Sequence, residues 1–198
     1  RRFSAAERFV RAGTWDEGEN FPLAVRASGK RVGILGLGRI GQAIATRLEG
    51  FGCDLHYYSR SAKPESNYRY HSSVLELASA CDVLVVAVAG GPNTAGLVDA
   101  EVLKALGPQG FIINIARGSV IDEDALIHAL QRGVITGAGL DVFAQEPHVP
   151  QALKDCGNAV LLPHLGSGTM ETRADMTQLT IANLRAYLAD RTLVTPIS

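Results

Sequence analysis

Val32-Gly33-Ile34-Leu35-Gly36-Leu37-Gly38-Arg39-Ile40-Gly41 joins a short apolar run to glycines spaced G-x-G-x-x-G. The run Val32–Leu35 reads as a buried strand. Ile40, Ile44, Leu48 and Phe51 then recur at helical spacing, one face of a helix that stops at Gly52. Without this setting the spacing would be a glycine-rich turn with no ligand. Between a strand and a helix it has a mechanism. Gly36 permits the tight turn, Gly38 lets the backbone approach a pyrophosphate, and Gly41 lets helix and strand pack closely. The exposed amides at the helix start, around Arg39 and Ile40, meet the negative charge.

Outward from this stretch, strand and helix patterns alternate. The further strands are Leu55–Tyr58, Val83–Val88, Phe111–Ile115, Thr136–Leu140 and Val160–Leu162, short and bounded by turn residues. Val74, Leu75, Leu77 and Ala78 predict a short helix. Asp122 caps another, with Leu126, Ala129 and Leu130 inward and Gly133 past its end. A long last helix runs from about Thr169 to Ala189. This alternation predicts an α/β, doubly wound parallel sheet of the Rossmann type, with six parallel strands in the order 3-2-1-4-5-6 and helices on both faces. Ahead of it, Ser4 and Glu7 have the spacing of a capping box for an opening helix through Phe9 and Val10. Residues 13–29, with Trp15 and Pro22, read as an extended arm. The expected organisation is a dinucleotide-binding domain over 1–198: opening helix and arm 1–29, Rossmann core 30–168, last helix and tail 169–198.

Composition agrees and excludes other classes. The chain has 198 residues, 46% hydrophobic and 20% charged, enough for one core. Nineteen basic against twenty acidic side chains, a net charge of −1, exclude a strongly basic nucleic-acid binder. The longest apolar run, Val83–Ala89, is far below the ~18 residues of a membrane span. Twenty-one glycines imply many tight turns. Three cysteines, Cys53, Cys81 and Cys156, without C-x-x-C fit buried reduced thiols in a cytoplasmic protein, with no zinc or other metal site.

The end of the second strand selects the cofactor. An acidic residue about 20 positions beyond the glycines would hold the ribose 2′-hydroxyl of NAD. Here the chain reads Tyr57-Tyr58-Ser59-Arg60-Ser61-Ala62-Lys63. A carboxylate would repel a 2′-phosphate, whereas the Ser59 hydroxyl and the Arg60 guanidinium can bind one. NADP(H) is therefore expected in preference to NAD(H), which stays compatible.

Three later segments carry more than a generic fold. Asn114-Ile115-Ala116-Arg117-Gly118 ends the fourth predicted strand. Gly137-Ala138-Gly139-Leu140-Asp141-Val142-Phe143 ends the fifth and runs into Glu146-Pro147. Pro163-His164-Leu165-Gly166-Ser167 ends the sixth. Singly, a strand-end Arg is usually a surface ion pair and a lone His structural. Jointly, Arg117, Glu146 and His164 lie at the carboxyl ends of strands, the edge where such sheets bind ligands. His56, His71, His128 and His148 have no supporting pattern.

Together with the glycine loop these segments resemble the D-2-hydroxyacid dehydrogenase family over nearly the whole chain. Ser59-Arg60 and the Gly90-Gly91-Pro92-x-Thr94 loop resemble its glyoxylate/hydroxypyruvate reductase branch, which favours NADPH. The resemblance implies reduction of a small 2-oxoacid. Arg117 would hold the substrate carboxylate and polarise the oxo group, His164 would protonate the new hydroxyl, and Glu146 would be its carboxylate partner. Thr94, Ile115, Arg117 and Gly166 would lie with the cofactor. Asp141 would touch the cofactor or tune Glu146, or be a solvated loop carboxylate. The same resemblance extends to co-repressors that sense dinucleotides, so a regulator is the alternative. The family has a substrate domain built mostly from N-terminal sequence. Only about 30 residues precede the first strand here, so roughly a hundred residues, of domain size, are expected to be absent. The family also implies a homodimer, gripped by the opening helix and arm through Phe3, Phe9, Val10 and Trp15.

Overall fold

Runs of Val, Ile and Leu become strands here because both sides of the sheet are covered. In the computed structural model, which describes residues 2–196, seven parallel strands form one sheet. They are β1 (Arg31–Leu35), β2 (Asp54–Tyr58), β3 (Arg69–Tyr70), β4 (Val83–Val86), β5 (Phe111–Asn114), β6 (Gly137–Leu140) and β7 (Ala159–Leu161), in the order β3-β2-β1-β4-β5-β6-β7. Successive side chains point to opposite faces. Leu84, Val86 and Ile112 therefore join one buried cluster, and Ile34, Tyr57 and Val85 the other. Each such side chain contributes about 1.5–3 kcal/mol on burial.

The helices are α1 (Phe3–Arg11), α2 (Arg39–Glu49), α3 (Val74–Ala80), α4 (Ala100–Leu106), α5 (Glu123–Gln131), α6 (Gln151–Lys154) and α7 (Met170–Asp190). Helix α2 covers the Ile34 face through Ile44, Ala45 and Leu48. Helices α3, α4 and α5 cover the other through Leu77, Leu103 and Leu126. The chain divides into two compact units after Leu162, and α7 belongs to the second. Among the described residues no helix is long and apolar enough to cross a membrane.

The fold class is as expected, with one correction. The sheet has seven strands, not six. The extra one, β3, is only two residues long, at the sheet edge, paired to His56 and Tyr57. Counting it moves Val83–Val86 from third to fourth, beside β1, and the order 3-2-1-4-5-6 then holds with β7 added. Helix boundaries also differ. Helix α1 starts at Phe3 after Arg2, with no side-chain cap, so Ser4 does not form the expected box. Ile40 and Phe51 are exposed, because α2 turns its small residues Gly41 and Ala45 onto the sheet. Helix α4 is an addition to the expected elements; Asp99 caps it by accepting from the Glu101 and Val102 amides at 3.0 Å. The Asp122 cap of α5 forms as expected, accepting from the Ala125 amide at 3.0 Å.

Cys81 and Cys156 are buried and Cys53 is partly so. Burial pushes the Cys81 thiol up to about 12, so it stays protonated and inert.

Candidate functional site

The site is built from the loops that leave the carboxyl ends of the strands. The turn after β1 sits tight against the protein and open on its outer side. Gly36 has φ +101°, and a Cβ there would stand 2.8 Å from the Val88 amide nitrogen. A Cβ on Gly41 would overlap the Gly36 carbonyl, so only glycine lets α2 begin this close to β1. At Gly38, by contrast, a Cβ would meet nothing within 4 Å. Gly38 caps α2, and Arg39 and Ile40 form its first turn. Amides of a first helical turn lack an intrahelical acceptor and carry partial positive charge. Such a helix start can hold an anion, and the space beside Gly38 is open.

Ser59 and Arg60 follow directly on β2. The Ser59 hydroxyl donates to the Ser61 carbonyl at 2.6 Å, and Arg60 is exposed. The nearby groove is lined by Gly38, Arg39, Gln42 and Tyr68 and by both signs of charge, Arg39 and Lys63 with Glu49 and Glu65. After β4 the chain turns through Gly90 and Gly91 to a short helical turn, Pro92–Thr94. The Thr94 hydroxyl closes this loop by donating to the Ala89 carbonyl at 2.8 Å.

At the end of β5, Asn114 has a role that the sequence did not signal. It is 1% exposed. Its Oδ1 accepts from the Ala116 amide at 3.0 Å, and its Nδ2 donates to the Arg117 carbonyl at 3.1 Å. The backbone that presents Arg117 is thus fixed from beneath, with Ile115 half-buried between them. The Arg117 guanidinium is exposed and donates to the Ala116 carbonyl at 2.6 Å. Gly90 leaves room for its stem, since a Cβ there would lie 2.5 Å from Arg117 Cγ.

Beyond β6, the Asp141 amide donates to the Asn114 carbonyl at 3.0 Å, and Asp141 itself is buried. Glu146 Oε1 accepts from the Phe143 amide at 3.0 Å. Glu123 does the same for the Ala144 amide at 3.0 Å, so two carboxylates hold this loop. The structure thus aligns the glycine turn, Ser59, Arg60, Thr94, Ile115, Arg117, Asp141 and Glu146 along one edge of one sheet. His164 and Gly166 lie in the second unit, on the exposed segment that follows β7. His164 has φ +55°, a left-handed conformation uncommon for a residue with a side chain.

Of the histidines without a pattern, two meet. His56 is buried in β2, with Nδ1 2.9 Å from His71 Nε2 and Nε2 3.1 Å from Asp54 Oδ2. Burial, and next the neighbouring His56, hold His71 below its ordinary range. Among the described residues no group of three or more His, Cys, Asp or Glu could hold a metal ion.

A parallel sheet whose first strand runs through a tight glycine turn into an open helix start defines a dinucleotide-binding α/β domain. Residues 1–166 match the family described as D-isomer specific 2-hydroxyacid dehydrogenase, NAD binding domain. The chain belongs to that family. It is 51% identical over 197 residues to a hydroxyphenylpyruvate reductase of Plectranthus scutellarioides, covering 100% of this chain and 63% of the relative. The figures are the same for glyoxylate/hydroxypyruvate reductase A of Arabidopsis thaliana. The crystal structure of an NADPH-dependent glyoxylate/hydroxypyruvate reductase from Sinorhizobium meliloti, in complex with NADP and malonate, is 45% identical with a TM-score of 0.97. The chain covers 62% of that structure and is itself covered over 100%. It thus spans somewhat under two thirds of the length of these relatives.

Proposed function

We propose that the protein reduces a small 2-oxoacid, of the glyoxylate or hydroxypyruvate kind, to the 2-hydroxyacid with NADPH. The observation that carries this is the single sheet edge. The glycine turn follows β1, Ser59 and Arg60 follow β2 with no acidic residue between Tyr57 and Lys63, and Arg117 follows β5, all at strand carboxyl ends. The relatives named above are reductases, one of them NADPH-dependent, which supports the reading and gives the regulator alternative no support.

The residues fit the cofactor. The amides at the start of α2 would take its pyrophosphate, and Ser59 with Arg60 its 2′-phosphate. When bound, the dihydronicotinamide supplies the hydride for C2 of the substrate. Arg117 pairs with the substrate carboxylate and stabilises the charge that builds on the oxo oxygen. His164, as imidazolium, gives that oxygen its proton. Glu146 is assigned the carboxylate role of the family pattern.

Titration with both cofactors tests the reading. NADPH is expected to bind more tightly than NADH, and Arg60→Ala to weaken NADPH about ten- to a hundredfold while sparing NADH, as loss of a charge-assisted contact implies. Equal or tighter binding of NADH would overturn it. NADPH oxidation by the complete gene product, screened across 2-oxoacids, identifies the substrate.

The same reading places the protein in the cytoplasm, where its thiols stay reduced, and as a homodimer. Phe3, Val10 and Trp15 are exposed, as are Leu179, Leu184 and Leu188 on α7. Phe9 differs from expectation in having a partner within its own chain, the Phe21 ring at 5.4 Å. Light scattering at micromolar concentration is expected to give twice the chain mass. A monomer would refute the dimer.

A further inference from the structure

Tyr57 lies in β2, opposite Ile34 of β1, and is 1% exposed. Its ring is part of the cluster with Leu37 and Ala45, and it meets the Tyr70 ring at 5.5 Å. A buried phenol needs a partner for its hydroxyl. Here both hydroxyl bonds go to the backbone of one residue. The Lys63 amide donates to Tyr57 Oη at 2.8 Å, and Tyr57 Oη donates to the Lys63 carbonyl at 3.4 Å. The strand that ends at Tyr58 therefore has its outgoing loop folded back onto its own side chain. Inside that closure stand Ser59 and Arg60. Ser59 adds the bond to the Ser61 carbonyl at 2.6 Å, and Lys63 is delivered to the groove beside Gly38 and Arg39.

We infer that Tyr57 is a positioning residue for cofactor selectivity: its buried hydroxyl pins the 59–63 loop in the form that presents Arg60 to a 2′-phosphate. The inference rests on the NADPH reading above. Ordering a free loop at the moment of binding costs conformational entropy, and a loop already tied down avoids that cost. The gain falls on the ligand that uses the loop's cation. NADPH has a phosphate for Arg60, and NADH offers only a hydroxyl. Tyr57→Phe removes the pin and keeps the ring, so the core stays filled.

The test is equilibrium binding of NADPH and NADH to wild type, Tyr57→Phe, Arg60→Ala and the double variant. Tyr57→Phe, which removes both hydroxyl bonds, is expected to raise the NADPH Kd about five- to tenfold, with NADH changed less than about twofold. In the Arg60→Ala background, the same substitution is expected to add little. Equal weakening of both cofactors, or of neither, makes Tyr57 a core residue only and overturns the inference. If Arg60→Ala itself leaves NADPH binding intact, the cofactor reading fails and the inference with it. Hydrogen exchange of the Lys63 amide in the wild-type, cofactor-free protein gives a measurement that does not depend on any variant folding. Protection is expected; exchange at the rate of an unstructured peptide would overturn the inference.

Discussion

Replacing Gly118 by alanine is expected to unfold the protein at a temperature lower by about 6–12 °C, and to remove most of its activity. Gly118 is buried in the turn directly after Arg117. A Cβ there would overlap the carbonyl of Phe143 and the amide nitrogen of Ala144. These are backbone atoms, so no side-chain rotation relieves the clash. Both residues are also held, the Phe143 amide by Glu146 and the Ala144 amide by Glu123. The loop after β5 or the loop after β6 has to move. Overpacking of this kind costs about 3 kcal/mol, and each kcal/mol lowers Tm by roughly 2–4 °C at this chain length. Activity falls with it because Arg117 and Glu146 stand on the two loops being forced apart. Thermal melts and steady-state rates of Gly118→Ala, beside Ser119→Ala at the exposed neighbouring position, check this. A Gly118→Ala protein as stable as wild type would contradict the packing.

What the sequence disclosed follows from how local each feature is. The glycine turn was legible because its requirements lie within a few residues of chain. The loops after the later strands were legible because a parallel sheet brings its carboxyl ends to one edge. The supports beneath them were not. Asn114 stood inside a quoted motif, yet its two bonds exist only because β5 ends where the Arg117 turn begins. Gly118 gave no signal, because its constraint comes from Phe143 and Ala144, a separate stretch of chain. Tyr57 read as an ordinary apolar strand residue, and its hydroxyl acquires a role only when the chain returns at Lys63. The same logic explains β3. Arg69 and Tyr70 have no apolar alternation and become a strand only by pairing with β2. Ile40 and Phe51 fit the helical period but are exposed, since the close approach of Gly41 to Gly36 turned α2 so that small residues face the sheet.

His164→Ala is expected to lower kcat by about 10²–10⁴, the usual worth of a positioned proton donor, with NADPH affinity nearly unchanged. His164 has φ +55°, in the left-handed region, so its backbone role has to be separated from that of its side chain. A second substitution separates the imidazole from the backbone. Asparagine tolerates the left-handed region better than most residues but cannot deliver a proton as imidazolium does. If His164 matters only as a turn former, His164→Asn retains activity. If it supplies the proton, Asn fails as badly as Ala, and added imidazole restores part of the rate to the alanine variant by filling the vacated space. The assay is NADPH oxidation with the 2-oxoacid by the complete gene product, with cofactor binding measured alongside. A rate within tenfold of wild type for both variants would remove His164 from the chemistry. Loss of NADPH binding in step with the rate would make it a structural residue of the cofactor domain instead.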